Sequence, residues 1–352
     1  MEALHGGDWA GFEKEYGRAP LDFSANVSPL GLPEAVRRAA AGALETAERY
    51  PDPLCRALRA ALAEYHGVGA EKIVCGNGAA DMIYRICRAV RPRRAAVFAP
   101  GFAEYRRALE AEDCEIAELR LSEARGFQIE AEDIDRIPEA AELVFVCNPN
   151  NPTGLLAGRD TMEKLLDRCR ARGTLLAVDE CFLDFCESGA ERSLVARLTE
   201  HPELVILKAF TKTHAMAGLR LGYALCGSAE TAQRIQRCEQ PWAVSAVAQA
   251  AGVAALQEKD YANRLRALVS AERRRMSAAL TALGLRVIPG EANFLLFQST
   301  HLCLAEELRA RGILIRDCAN FAGLGPGWYR TALRTTAEND ALLTALGEVL
   351  HG

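Results

Sequence analysis

Lysine is scarce in this chain. Six occur, at positions 14, 72, 164, 208, 212 and 259, so few side chains could serve as an amine nucleophile. Lys212 stands in Phe210-Thr-Lys-Thr-His-Ala-Met-Ala-Gly-Leu-Arg-Leu-Gly-Tyr223, after an apolar run and at a fixed distance ahead of Gly218 and Arg220. A lysine that forms a Schiff base must be desolvated or held near other cations, so that its amine can attack. The plainer reading is a solvated surface charge. Asp179, in Ala177-Val-Asp-Glu-Cys-Phe182, closes a second apolar run. A carboxylate buried there needs a partner, either a protein group or a cationic ring nitrogen. Asn148-Pro-Asn-Asn-Pro-Thr-Gly154 follows a third run; its residues favour turns, but two Asn-Pro steps are dense for an ordinary one. Gly76-Asn-Gly-Ala-Ala-Asp81 leads from an apolar run into a helical pattern. Such a turn offers free backbone N–H groups and a positive dipole end to a phosphate, although glycine turns before helices are common.

The elements that must position these residues alternate along the chain. From 71 to 228, short apolar runs predict strands at 73–75, 95–98, 143–147, 174–178, 205–207 and 223–226. Helical patterns at 80–90, 103–111 and 159–172 lie between them. Alternation of this kind implies an α/β fold with a mostly parallel sheet covered by helices on both faces. Ligands in such sheets sit beyond the carboxyl ends of the strands. From 229 the pattern changes to long helices at 246–256 and 262–283, then short strands at 285–287 and 293–297, a helix, a strand at 329–333 and a last helix. The expected division is an N-terminal segment, 1–45, packing on a small domain; a large domain, 46–228; and a smaller α+β domain, 229–352. A chain of 352 residues suits two packed domains.

Composition excludes several classes. The net charge of −5 gives no reason to expect nucleic acid or an anionic membrane as partner. No apolar stretch approaches the roughly 20 residues that span a bilayer, and the first residues lack the pattern of a signal peptide; a cytoplasmic location is expected. The twelve cysteines are scattered, without any C-x-x-C. That spacing argues against disulfides and metal and for reduced, buried thiols.

Taken together and in order, the four motifs resemble fold-type I pyridoxal-phosphate enzymes of the aminotransferase class, over almost the whole chain. The resemblance implies that Lys212 binds pyridoxal 5'-phosphate as a Schiff base. Arg220, Thr211 and the amides of Gly78, Ala79 and Ala80 would bind its phosphate. Asp179 would pair with the pyridinium nitrogen and keep it protonated, Asn151 would donate to the ring hydroxyl, and Phe102 would stack on the ring. Tyr50, in Arg49-Tyr-Pro-Asp-Pro53, would reach the cofactor phosphate of a neighbouring subunit, which implies a homodimer with shared active sites.

Within the class, Tyr50-Pro-Asp-Pro53 and the Asn-Pro motif are similar to histidinol-phosphate aminotransferases. Other segments are similar to the threonine-phosphate decarboxylases of cobalamin side-chain synthesis: His5-Gly-Gly7, Asp22-Phe-Ser-Ala-Asn-Val-Ser-Pro-Leu-Gly31, Pro100-Gly-Phe-Ala-Glu-Tyr105, Pro241-Trp242, Ile313-Leu-Ile-Arg-Asp-Cys-Ala-Asn320 and Tyr329-Arg-Thr-Ala-Leu-Arg334. Phe182 stands where many aminotransferases place a tyrosine, and the decarboxylase resemblance implies phenylalanine there. By the same carry-over His5, Gly6, Asn26, Asn151, Arg316 and Arg334 contact a phosphorylated amino acid. The bland alternatives are a solvated His5, an Asx turn at Asn26 and surface ion pairs at Arg316 and Arg334. One departure is Thr213-His214-Ala-Met, where the decarboxylases carry an aromatic pair; His214 either adds a titratable group beside the lysine or fills space. The expected reaction is decarboxylation of threonine phosphate, or of serine phosphate, to an aminoalkyl phosphate. The alternatives are a histidinol-phosphate or related aminotransferase and a cofactor-binding regulatory domain without catalysis, which the intact Lys212, Asp179 and Arg220 set opposes.

Overall fold

The computed structural model describes residues 5–352. Seven strands make the main sheet: β1 (Ile73–Gly76), β2 (Arg94–Ala99), β3 (Glu115–Arg120), β4 (Leu143–Cys147), β5 (Leu175–Asp179), β6 (Leu204–Ala209) and β7 (Gly222–Cys226). Their order across the sheet is β1-β7-β6-β5-β4-β2-β3. β7 runs antiparallel to both its neighbours, and every other pair is parallel. Parallel pairing requires crossovers, and helices Ala103–Glu110 and Arg159–Arg172 supply two of them. The six expected strands are present. β3 is an addition that the sequence reading passed over.

The apolar runs lack a polar face because both faces of the sheet are covered. Along β4, Val144 and Val146 point into one core, while Leu143, Phe145 and Cys147 point into the other. A strand residue alternates sides with period two, so one continuous apolar run fills two cores. Ten of the twelve cysteines are buried, Cys238 and Cys303 being the exceptions.

A second sheet follows, with β8 (Arg286–Val287), β9 (Phe294–Gln298), β10 (Arg316–Asp317) and β11 (Trp328–Ala332). It is antiparallel, in the order β10-β11-β9-β8. The N-terminal segment ties the two sheets together. Leu21–Asp22 pairs parallel with Ile313–Leu314, and Phe23 joins the apolar cluster beside the second sheet. Helix Glu34–Ala43 instead turns Val36 and Ala40 into a core of the main sheet. Between them the Ser28 amide donates to the Lys212 carbonyl at 2.9 Å. Among the described residues, no helix is long and apolar enough to cross a membrane.

Candidate active site

β4, β5 and β6 end side by side, and their carboxyl ends deliver three of the four motifs. Asp179 is the last residue of β5 and is 5% exposed. Its Oδ2 accepts from the Tyr105 hydroxyl at 2.7 Å and its Oδ1 from the Cys181 amide at 3.0 Å. Two donors of this kind satisfy the oxygens of a buried carboxylate. The partner pays a reciprocal cost: burial and then Asp179 push the Tyr105 hydroxyl well above the usual tyrosine range. Tyr105 is fixed by stacking on Phe145, with ring centroids 5.0 Å apart. It was not among the residues the sequence pointed to.

Lys212 lies in a one-turn helix, Phe210–Thr213, that begins where β6 stops. It faces a cavity of about 200 Å³ whose wall also holds Asp179, Asn151, Thr211 and Phe182. The Lys212 amine is 5.9 Å from the centre of the Phe182 ring. Burial, and then the positive charges of Arg330 and Arg220, pull its pKa down to about 8. Near neutral pH a useful fraction is therefore the free, nucleophilic amine. Lys208, four residues earlier, has the opposite fate. It is buried with Glu180 at 3.2 Å and Asp184 at 3.7 Å. Burial alone would lower its amine, but the two carboxylates outweigh that and push it above the ordinary lysine range.

The glycine turn meets Arg220 at the same cavity. Ala79 and Ala80 open helix Ala79–Val90, and both line the wall together with Arg220. Gly78 stands just behind them with φ of 89°. A Cβ there would lie 2.8 Å from Arg220 Nη2, so glycine is needed both for the backbone and for the approach of the guanidinium. Free amides at a helix start, the Thr211 hydroxyl and a guanidinium form an anion cradle.

His5, Gly6, Asn26, Phe102 and Arg316 also line the cavity. Gly6 packs so closely that a Cβ would stand 2.2 Å from the Ser24 carbonyl oxygen. Asn26 is 3% exposed, and its Oδ1 has no hydrogen-bond partner. Arg316 Nη2 donates to Asn320 Oδ1 at 2.8 Å, and its guanidinium lies 5.6 Å from the Phe321 ring centre. Burial lowers its proton affinity.

Arg330 is the cation that the sequence reading missed. It sits in the middle of β11, 6% exposed, and lines the cavity. It donates through Nη1 to Asn151 Oδ1 and through Nη2 to the Ser24 carbonyl at 3.1 Å, which leaves Nε without a partner. Arg334, expected in this role, lies outside the cavity wall. Its guanidinium is occupied by Glu338 at 2.6 Å and by the Asp22 carbonyl at 3.2 Å. Tyr50 is also away from the cavity, 78% exposed and stacked on Trp242 at 4.4 Å. His214 turns to a different cavity, shared with His66, Lys208 and Tyr223. There its ring stacks on Tyr261 at 5.7 Å and burial lowers its pKa.

These residues fit pyridoxal phosphate on structural grounds. A nucleophilic lysine, a glycine cradle that a Cβ would fill and a buried carboxylate surround one cavity. Asn26 and Arg330 keep orphaned polar atoms at its wall, and unpaired buried groups of this kind suit a polar ligand. Residues 18–346 match the model of the family described as "Aminotransferase class I and II". The chain belongs to that family. Among relatives of this class I and II aminotransferase chain, the threonine-phosphate decarboxylase of Salmonella typhimurium is 39% identical over 358 residues, covering 100% of this chain and 98% of that one. The structure of L-threonine-O-3-phosphate decarboxylase from Porphyromonas gingivalis superposes with a TM-score of 0.80 at 26% identity, over 94% of this chain and 99% of that one. The histidinol-phosphate aminotransferase structure from Clostridium acetobutylicum gives 0.86 at 28% identity, over 94% and 98%.

Proposed function

We propose that this protein is a pyridoxal-phosphate-dependent decarboxylase of a phosphorylated hydroxy-amino acid. Its substrate is L-threonine O-3-phosphate, with L-serine phosphate as the close alternative, and its product is an aminoalkyl phosphate for cobalamin side-chain synthesis. One observation carries the reading: His5 and Gly6 come into the wall of the Lys212 cavity beside Asn26 and Arg316, in a chain related end to end to a threonine-phosphate decarboxylase.

Pyridoxal phosphate, when bound, supplies a ring that accepts the electron pair left as a bond to Cα breaks. Lys212 holds it through Nζ and moves a proton at the substrate Cα. Asp179, which accepts from Tyr105 and Cys181, would pair with the ring nitrogen and keep it protonated. Ala79, Ala80, Thr211 and Arg220 receive the cofactor phosphate. Phe102 and Phe182 supply apolar surface for the ring. His5, Asn26, Arg316 and Arg330 receive the phosphate of the substrate, so its carboxylate is left free to depart. Had the arginines gripped the carboxylate instead, the C–H bond would be the one aligned for cleavage. Arg334 holds Glu338 and Asp22 and supports β11 from outside.

Histidinol-phosphate aminotransferase is the second reading, favoured by the TM-score of 0.86. Incubation with threonine phosphate and no keto acid separates the two. Carbon dioxide release supports the decarboxylase, and amino transfer from histidinol phosphate to 2-oxoglutarate without carbon dioxide overturns it. We further propose a cytoplasmic homodimer in which Tyr50 serves the partner's cofactor phosphate. Its exposed ring, stacked on the exposed Trp242, supports that reading. The division at 46–228 and 229–352, with 1–45 bridging, belongs to the same proposal.

A further inference from the structure

His5 stands between two cavities. The cavity of Lys212 and a neighbour of about 120 Å³ share His5, Phe102, Arg316 and Phe321 in their walls. The neighbour lies over the end of β2, against Phe98, Ala99 and Glu118, and the reaction proposed above makes no use of it. Three members of the shared wall are fixed by their own elements. Phe102 caps helix Ala103–Glu110, Arg316 opens β10, and the Phe321 amide donates to the Cys318 carbonyl at 3.0 Å. His5 has no such element, and its imidazole is exposed on one side. What places its ring is Glu104, whose Oε1 lies 2.8 Å from His5 Nε2.

Glu104 is built as a fixed acceptor. It is 8% exposed, in the first turn of the helix that follows Phe102. Oε2 accepts from the Tyr84 hydroxyl at 3.0 Å, and Oε1 also accepts from Arg107 Nη1 at 3.0 Å. Burial alone would raise its proton affinity, but His5 and Tyr84 outweigh it and hold the carboxyl below its usual range. An ionised carboxylate can only accept, so His5 Nε2 carries the proton of that bond. The Glu104 side chain lines neither cavity and reaches the shared wall through its hydrogen bond to His5. The His5 ring in turn lies 5.7 Å from the Phe102 ring, tilted by 45°.

We propose that Glu104 is a positioning residue that holds His5 as a partition between the two cavities, and that this partition sets the size of the phosphorylated substrate admitted. With the imidazole docked, the space at Lys212 ends at His5. With it undocked, the neighbouring cavity becomes continuous and a bulkier side chain gains room. The inference rests on the substrate class proposed above, but not on which bond to Cα breaks.

The test uses the cofactor-loaded enzyme and the variants Glu104→Ala, Glu104→Gln, His5→Ala and Glu104→Ala/His5→Ala. Tyr84 and Arg107 are partly or well exposed and can rehydrate when Glu104 is shortened, so the variants should fold. Hydrogen exchange of the peptide spanning residues 5–17, followed by mass spectrometry without substrate, should speed up at least about tenfold in Glu104→Ala. It should stay near wild type in Glu104→Gln, which keeps an acceptor oxygen. Dissociation constants for threonine phosphate and histidinol phosphate are then read from the absorbance of the bound cofactor. Their ratio should move at least about tenfold toward histidinol phosphate in Glu104→Ala and in His5→Ala. The double variant should go no further than either single one, because both remove the same partition. Unchanged exchange in Glu104→Ala, an unmoved ratio, or additive effects in the double variant would overturn the proposal. A chain that transaminates and never releases carbon dioxide would still show the shift in ratio, so the two readings fail separately.

Discussion

Replacing Lys212 by methionine should stabilise the protein once the cofactor has been removed. The amine titrates at about 8 in the folded chain, against 10.5 for an ordinary lysine. Each unit of difference corresponds to about 1.4 kcal/mol, so holding a charged Lys212 in its cavity costs about 3 kcal/mol of folding free energy. The sign follows from which state binds the proton more tightly. The folded pKa lies below the unfolded one, so between pH 8 and 10.5 the unfolded chain carries the extra proton, and stability rises with pH across that window. Below pH 8 both states are protonated and the full penalty applies. Methionine keeps the length of the stem and carries no charge. Apoprotein with Lys212→Met should therefore unfold at higher urea than wild type at pH 7, by about 3 kcal/mol. The advantage should shrink above pH 8 and be nearly gone at pH 10.5. Urea melts of both apoproteins at pH 7, 8.5 and 10 provide the measurement. A variant no more stable than wild type at pH 7 would refute the reasoning, and so would an advantage that does not change with pH.

Arg330→Gln should lower kcat/KM for threonine phosphate by roughly a hundred- to ten-thousand-fold, since two charge-assisted hydrogen bonds are worth about 3–6 kcal/mol together. In the apoprotein it should also raise the pKa of the Lys212 amine, because Arg330 is one of the charges that depress it; a loss of less than about fivefold in kcat/KM would remove Arg330 from the substrate's contacts. Asp179→Asn should retain cofactor but lose several kcal/mol in the barrier, each ~1.4 kcal/mol being tenfold in rate, and wild-type turnover would contradict the role given to the carboxylate. Mixing inactive Tyr50→Ala with inactive Lys212→Ala should restore activity through hybrid dimers that hold one intact site; no regain despite proven subunit exchange would argue for a site complete within one chain.

Three parts of the site that the sequence disclosed share one property: each lies where an apolar run stops. Lys212, Asp179 and Asn151 follow strands whose both faces are buried, and such strands announce themselves by continuous apolar residues. β3 went unread for the converse reason. It is one of the two edge strands of the sheet, and its Glu115-Ile-Ala-Glu-Leu-Arg120 carries the charges that protect an edge from further pairing. Arg330 was overlooked in favour of Arg334, although both stand in one short motif. The signal was present in the expected strand at 329–333. An arginine inside a strand whose neighbours are all buried must meet an anion or acceptors, whereas one just past the strand end is free to pair with a carboxylate of the next helix, as Arg334 does with Glu338. Tyr105 lies one helical turn after Phe102 and so shares its face, but only the fold brings that face against the end of β5. Backbone contacts such as Ser28 to Lys212 join positions far apart in the chain, and no local pattern reports them.

The contrast between Lys208 and Lys212 bears on how the protein meets reactive aldehydes. Two buried amines lie four residues apart, and an electrophile reaching both would otherwise have to be sorted by shape. Here the sorting is done by protonation. Lys208 keeps its proton between Glu180 and Asp184 and has no lone pair to offer, while Lys212 releases its proton near pH 8. The remaining four lysines in a chain of 352 residues lie outside the Lys212 cavity. An activated ester or aldehyde probe applied at low dose near neutral pH should therefore label Lys212 of the apoprotein in preference to Lys208.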